Sequence, residues 1–189
     1  MNKNRLEAFS DGVLAIVITI MVLELRAPHD AALSGLAPLL PVFLSYVLSF
    51  IYIGIYWNNH HHMLQATKTV NGRVLWANLH LLFWLTLIPF TTSWMGENHL
   101  APAPVALYGA VLFMAGLAYY ILARALVHLH GAQSDLGVAI GKDCKGIVSL
   151  LLYGAAVPLS FVHVWLATGL YIGVAFIWLV PDTRIEKRS

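Results

Sequence analysis

The sequence predicts an all-α integral membrane protein with six transmembrane helices and no soluble domain. Three observations carry that prediction. Of 189 residues, 59% are hydrophobic and 11% charged, with a mean hydropathy of +0.74, whereas a soluble domain carries about 25% charged residues. Six segments approach the roughly 20 mostly apolar residues that a membrane span requires. Ten of the eleven Lys and Arg residues fall in alternate connections between those segments, the asymmetry that marks the cytoplasmic side.

The spans lie at about 5–26, 38–57, 73–94, 103–124, 144–160 and 163–180. The first is a retained span, not a cleaved leader, because acidic residues precede its apolar run and no small-x-small site follows. Pro28, Pro38, Pro102 and Pro104 punctuate span ends, where proline costs least. Pro41 and Pro89 fall inside apolar segments, where neighbouring helices can satisfy the freed carbonyls. The last two spans form one apolar run broken near Pro158 to His163, since a single helix there would far exceed the bilayer.

Lys3 and Arg5, Lys68 and Arg73, then Arg124, Lys142 and Lys145, then Arg184, Lys187 and Arg188 share one side, against Arg26 alone on the other. This places both termini in the cytoplasm and requires an even number of spans. A net charge of +2 without a Lys/Arg run gives no nucleic-acid partner. The single cysteine, Cys144, excludes an intrachain disulfide or a CxxC site and reads as a small buried apolar residue. Tyr52, Trp94, Tyr119, Tyr120 and Trp178 read as interfacial belt residues, and Gly109 and Gly116 as points of close helix approach.

The first span is the informative one. At 100° per residue, Arg5, Phe9, Gly12, Ile16, Ile20, Leu23 and Ala27 fall within a strip of roughly 80°, with Thr19 on its flank. Ser10 and Asp11 point elsewhere, toward neighbouring helices. An ionisable residue inside a span is expensive unless paired, and Arg5, Trp57, the histidines of "NNHHH" and Asn78 are the partners available to Asp11. The apolar row by itself also suits lipid-facing or packing surface, and Thr19 alone suits a hydroxyl bonded back to its own helix.

Three rival classes follow from the same residues. His60, His61, His62, His80, His128, His130 and His163 could ligate a metal or haem, although His60–62 fan around a helix end and His128 and His130 are two apart. A secondary transporter would show paired repeats, and none is visible. An intramembrane enzyme would need a Ser/His or paired-Asp arrangement, and none is present, so no cofactor is expected. Because imidazole titrates near neutral pH, the His60–62 cluster is also the place where proton sensitivity would enter.

The pattern Arg5-x-x-x-Phe9-Ser10-Asp11 followed by "AIVITIMVLEL" resembles the signature first helix of the bacterial relatives of the lysosomal potassium channel called transmembrane protein 175. "YW" at Tyr56–Trp57 with a histidine after it, "LWANLHLLF" at 75–83 and "IPF" at 88–90 resemble that family's second and third helices. The resemblance implies a potassium-permeable cation channel in a bacterial inner membrane, in which four copies of a single six-span repeat (residues 1–189) surround one pore lined by the first helix of each. It implies Ile16 at the constriction, Ile20 and Leu23 extending the apolar lining, and Thr19 supplying the hydroxyl layer linked with potassium preference. Arg5, Phe9, Ser10 and Asp11 would then tie the first helix to Trp57, a histidine and Asn78, with His61 favoured among the three histidines. The partners implied are the chain itself and the bilayer, with K+ as the permeant ion. No carbonyl filter of the "TVGYG" kind is present, so selection would rest on partial dehydration at the isoleucine ring. Glu24 would lie at the outer mouth, where a carboxylate raises local cation concentration.

Overall fold

In a computed structural model describing residues 3–28, 31–141 and 143–179, every regular element is helical. The helices are α1 (Asn4–Leu23), α2 (Leu40–Gln65), α3 (Gly72–Thr86), α4 (Ile88–Glu97), α5 (Pro102–His130), α6 (Asp135–Ile140), α7 (Cys144–Leu159) and α8 (Val164–Leu179), with a 3₁₀ segment at Leu33–Leu39 leading into α2. Four stretches are long and apolar enough to cross a membrane: Asn4–Leu23, Leu33–Gln65, Gly72–Glu97 and Pro102–His130. α7 and α8 are shorter apolar helices of 16 residues each, about 24 Å at 1.5 Å per residue.

Most of the six expected segments keep their place but not their ends. α1 stops at Leu23, short of the expected 26, and Glu24 caps it. α2 was expected to end at Trp57 and instead runs eight residues further, so His60–His62 lie on the helix and not at its end. The reason is local: Asn and His lower helix propensity only slightly, and no Gly or Pro lies between Trp57 and Gln65. α5 likewise passes the expected 124 and stops at Gly131, where φ is +91°, a conformation glycine adopts without a Cβ penalty. The expected break between the last two segments falls at Ser160–His163. Val180, at the expected end of the last span, lies outside the described residues, as do Lys142, Arg184, Lys187 and Arg188.

The third segment is two helices. Pro89 has no N–H to give to the preceding turn, and the break comes at Leu87. Hydroxyls satisfy the carbonyls around the break: Thr86 Oγ1 donates to Phe83 O at 2.7 Å, Thr91 Oγ1 to Leu87 O at 3.2 Å and Thr92 Oγ1 to Ile88 O at 2.6 Å. This is how an interrupted helix remains tolerable at membrane depth.

α5 is the central post, packed by α3, α4, α7 and α8, while α1 leans on α2, α3 and α4. The middle of the bundle is built from tyrosines, and the hydroxyls of Tyr52, Tyr108 and Tyr171 are engaged in polar contacts. Ser49 Oγ lies 2.6 Å from Thr92 Oγ1 and 3.0 Å from Tyr108 Oη, and Tyr171 Oη donates to Val105 O at 3.2 Å. Tyr52, expected in the interfacial belt, is buried and donates to the Tyr171 carbonyl. Its aromatic neighbours Tyr153 and Tyr171 come from α7 and α8, so the ring fills core space where the sequence suggests a surface. Cys144, expected buried, is exposed at the start of α7 because that first turn lies at the rim of the bundle.

Gly109 shows why small residues are needed here. A Cβ at that position would lie 1.9 Å from Tyr171 Oη and 2.5 Å from its Cζ. Gly109→Ala is therefore expected to destabilise the protein by about 1–3 kcal/mol, the usual penalty of overpacking a tight core. Thermal unfolding in detergent measures it, and a melting temperature equal to the native one would contradict the close approach.

Candidate functional site

Helix α1 has two faces of opposite chemistry. Leu6, Ser10, Leu14, Val17 and Met21 are buried against the bundle. Arg5, Phe9, Gly12, Ile16, Thr19, Ile20 and Leu23 are exposed, Ile16 by 59% and Leu23 by 76%. Ala27, at the end of the predicted strip, is also exposed but lies beyond the helix. The strip read at helical spacing is thus one continuous, largely exposed face of the protomer. Within it Thr19 Oγ1 donates to Ile16 O at 2.9 Å, the back-bonding common to hydroxyls in helices, and both oxygen lone pairs remain directed away from that bond.

The buried face is held by a polar relay. Asn78 on α3, fully buried, donates from Nδ2 to Ser10 Oγ at 2.9 Å and accepts at Oδ1 from His60 Nε2 at 2.7 Å. Ser10 Oγ in turn donates to Leu6 O at 2.8 Å. One amide thereby joins α1, α2 and α3. Because Oδ1 is an acceptor, His60 carries its proton on Nε2; its Nδ1 is buried without a hydrogen-bond partner among the described residues. The histidine that meets Asn78 is His60, whereas the favoured His61 reaches α1 by another route, through Glu7. Counting along α2 explains the difference: His60 lies seven residues, two turns, after Ile53 on the inward face, whereas His61 follows Trp57 by one turn on the flank.

That flank forms a second set of links. Trp57 Nε1 donates to Asp11 Oδ1 at 3.1 Å. One turn further, His61 Nδ1 lies 3.1 Å from Glu7 Oε1. One turn beyond that, Lys3 Nζ donates to the carbonyls of Leu64 and Gln65 at the end of α2, both at 2.9 Å. Lys3 at the N-cap of α1 and positions 7 and 11 within it therefore meet 65, 61 and 57 of α2, four apart along each chain segment and running in opposite directions. The His61 ring also stacks on Trp57, with centroids 6.0 Å apart and planes 19° from parallel. At the other end of α1, Glu24 Oε2 accepts from Ser93 Oγ on α4 at 3.1 Å.

Of the predicted motif residues, Ser10, Asp11, Trp57 and Asn78 are brought together as expected. Arg5 and Phe9 are not: both are exposed on the apolar strip, and Arg5 makes no side-chain hydrogen bond or ion pair among the described residues. Lys3, Glu7 and Ser93 were not anticipated. The i, i+4 spacing of Lys3, Glu7 and Asp11 is the sequence signal that could have found the first two. Trp76 is 75% exposed, and Trp84 donates to His80 Nε2 at 2.9 Å on its own helix. Among the described residues no three His, Cys, Asp or Glu side chains converge as metal ligands would.

Together these features define a helical membrane protein whose first helix is latched along one side and bare along the other. Comparison with known proteins matches residues 5–89 to the family model described as endosomal/lysosomal potassium channel TMEM175. A potassium channel of Chryseobacterium sp. (strain P1-3) is 54% identical over 187 residues, covering 99% of this chain and 97% of that protein. A potassium channel of Streptomyces collinus is 32% identical over 174 residues, covering 86% and 84%. The crystal structure of a lysosomal potassium-selective channel TMEM175 homolog from Chamaesiphon minutus superposes with a TM-score of 0.82 at 28% identity, covering 95% of this chain and 97% of that one. The chain belongs to the TMEM175 family, a family of ion channels and not of enzymes.

The relay yields a test. Asn78→Ala leaves Ser10 and His60 Nε2 without their partner in a dry site, so it is expected to cost about 1–3 kcal/mol and to lower the yield of folded protein. Asp11→Ala, which releases the exposed Trp57 indole, should damage assembly or expression before it alters permeation. Melting curves of the two variants beside the native protein check both, and an Asn78→Ala protein as stable as the native would deny the relay any structural role.

Proposed function

We propose that this chain is a potassium-permeable cation channel of the bacterial inner membrane, assembled as four copies of one six-span repeat with both termini cytoplasmic. The single observation that carries the reading is the bare face of α1. A row of Phe9, Ile16, Ile20 and Leu23 with one hydroxyl, opposite a fully latched face, is what a helix needs if it is to line an axis. A single helix cannot enclose a pore, so the reading requires closed rotational symmetry. The potassium-channel names of the bacterial relatives support the ion.

Ile16 forms the constriction, and Ile20 and Leu23 continue the apolar lining outward. A ring of isoleucines passes an ion only when water is partly stripped from it, and closes by dewetting or by contact when the ring narrows. Potassium gives up water at lower free-energy cost than sodium, so such a ring favours it. Thr19 hydroxyls, or water ordered by them, offset part of the cost. Glu24, tied to Ser93, holds a carboxylate at the outer mouth and draws cations toward it. Arg5 and Phe9 face the cytoplasmic entrance, and Ser10, Asp11, Trp57, Asn78 and His60 keep each pore helix in register without touching the ion.

Purified protein in a planar bilayer, with potassium on one side and sodium on the other, tests this reading. Discrete currents reversing toward the potassium equilibrium potential are expected, and absence of current across pH and voltage overturns it. Ile16→Asn should raise conductance or lower selectivity about tenfold, on the scale of about 1.4 kcal/mol in the permeation barrier. An Ile16→Asn channel indistinguishable from native places the constriction elsewhere.

A further inference from the structure

A cavity of about 40 Å³ lies between α2, α5, α7 and α8. Its lining runs from Tyr52 in the tyrosine core to Asp143 and Gly146 at the start of α7. No described residue of α1 lines it, so it is separate from the face read as the pore lining. A single water needs about 10–15 Å³, so the space exceeds one water about threefold. The walls are aromatic and packed edge to face. Tyr119 meets Tyr56 at 6.2 Å between centroids and 67°, and Trp178 at 6.4 Å and 75°.

One hydroxyl in these walls is left over. Tyr56 is more than nine-tenths buried, yet its hydroxyl makes no hydrogen bond among the described residues. It borders the cavity beside Gly116, where a Cβ would lie 3.7 Å from Tyr56 Oη and 3.8 Å from Tyr153 Cε2. The polar groups around it are largely committed. Asn59 Nδ2 donates to Ile55 O at 2.8 Å, and Asp143 Oδ1 accepts from Gly146 N at 3.1 Å. Ser149 Oγ accepts from Trp178 Nε1 and donates to Lys145 O, both at 2.8 Å. Buried hydroxyls are as a rule hydrogen-bonded, so Tyr56 calls for a partner from outside the chain.

We infer that this cavity binds a small neutral ring compound with a single hydroxyl, of the phenol class, and that the ligand hydroxyl bonds to Tyr56 Oη. Tyrosine and tryptophan walls at edge-to-face spacing suit a flat ring. The free wall group is itself a neutral hydroxyl, able both to donate and to accept, so one polar group on the ligand satisfies it. A charge placed unpaired among such walls is costly. The rim also selects against either sign. Lys145 Nζ lies 6.0 Å from the Trp178 ring centroid and the Arg124 guanidinium 5.0 Å from that of Tyr120, on ring faces that otherwise attract a cation. Asp143, in the lining, stands against an anion. Gly116 keeps the space open beside Tyr56.

The test uses 4-bromophenol and the purified full-length protein. In soaked crystals the bromine should give an anomalous peak in the cavity beside Tyr56, and saturating compound should raise the melting temperature in detergent. Tyr56→Phe keeps the ring and removes the hydroxyl, so affinity should fall about threefold to tenfold. Bromobenzene should bind the native protein more weakly by the same factor, and 4-bromobenzylammonium and 4-bromobenzoate more weakly still. Gly116→Leu sends a side chain into the space and should abolish binding. If it does not fold, Gly116→Ala should weaken binding, since its Cβ meets only the flexible end of Leu150, at 3.2 Å, as a tight contact. Affinity unchanged in Tyr56→Phe, or equal affinity for bromobenzene, overturns the inference. So does tighter binding of either charged compound, a bromine peak only elsewhere, or a cavity that keeps ordered water at saturating 4-bromophenol. Every readout is binding or stability, so the outcome is independent of whether the channel reading holds.

Discussion

A buried amide is the constraint on which the rest of this structure depends. Asn78 has four hydrogen-bonding sites and lies where water does not reach, so it must be satisfied by the protein. It finds Ser10 on one side and His60 on the other, and by doing so fixes the rotation of α1 about its own axis. A slip of one residue would turn Ser10 about 100° away from α3 and leave the buried Asn78 Nδ2 without its acceptor. In a bilayer, where apolar packing does not discriminate one helix rotation from another, a polar contact of this kind is the means of specifying which face of α1 looks inward and which is bare. The same rotation aligns Lys3, Glu7 and Asp11 with α2, so the relay and the flanking rungs reinforce one register.

The bare face follows as a consequence. Leu14, Val17 and Met21 continue the buried line above Ser10 and pack on the bundle, which leaves Ile16, Ile20 and Leu23 exposed on the protomer. A membrane helix can leave such residues against lipid, and composition alone does not distinguish that from a pore lining. α1 carries most of its polar groups on the latched flank and at its ends, and it packs on one side against α2, α3 and α4, with α5 and its tyrosines at the centre of the molecule. The break at Leu87, healed by Thr86, Thr91 and Thr92, lets α4 turn beside α1 and place Ser93 against Glu24 at the other end of the helix.

Much of this was legible in the sequence, for reasons that can be named. Hydropathy identified the helical segments because burial in lipid demands apolar runs, and the 3.6-residue period separated the two faces of α1 because nothing else in that span competes with it. Helix ends were harder: α2 continues past Trp57 because Asn and His do not stop a helix, and the third segment divides because one proline outweighs a continuous apolar run. His61 was favoured over His60 because three adjacent histidines carry no signal of their own, and the inward one is fixed only by the rotation of α2. Tyr52 looked interfacial because an aromatic near a span end usually is; its burial depends on Tyr153 and Tyr171, more than a hundred residues away. Arg5 belongs to the motif by sequence, yet the protomer leaves it on the exposed strip.

The most direct measurement of the central claim is thiol accessibility along α1 during potassium current. Single cysteines at Phe9, Ile16, Ile20 and Leu23, and at Leu14, Val17 and Met21, would be introduced in a Cys144→Ser background and exposed to a charged thiol reagent. The account predicts that the first four positions change the current on modification while the latter three do not, a pattern with the period of one helix face. Modification that is uniform along α1, or confined to Leu14, Val17 and Met21, would contradict it.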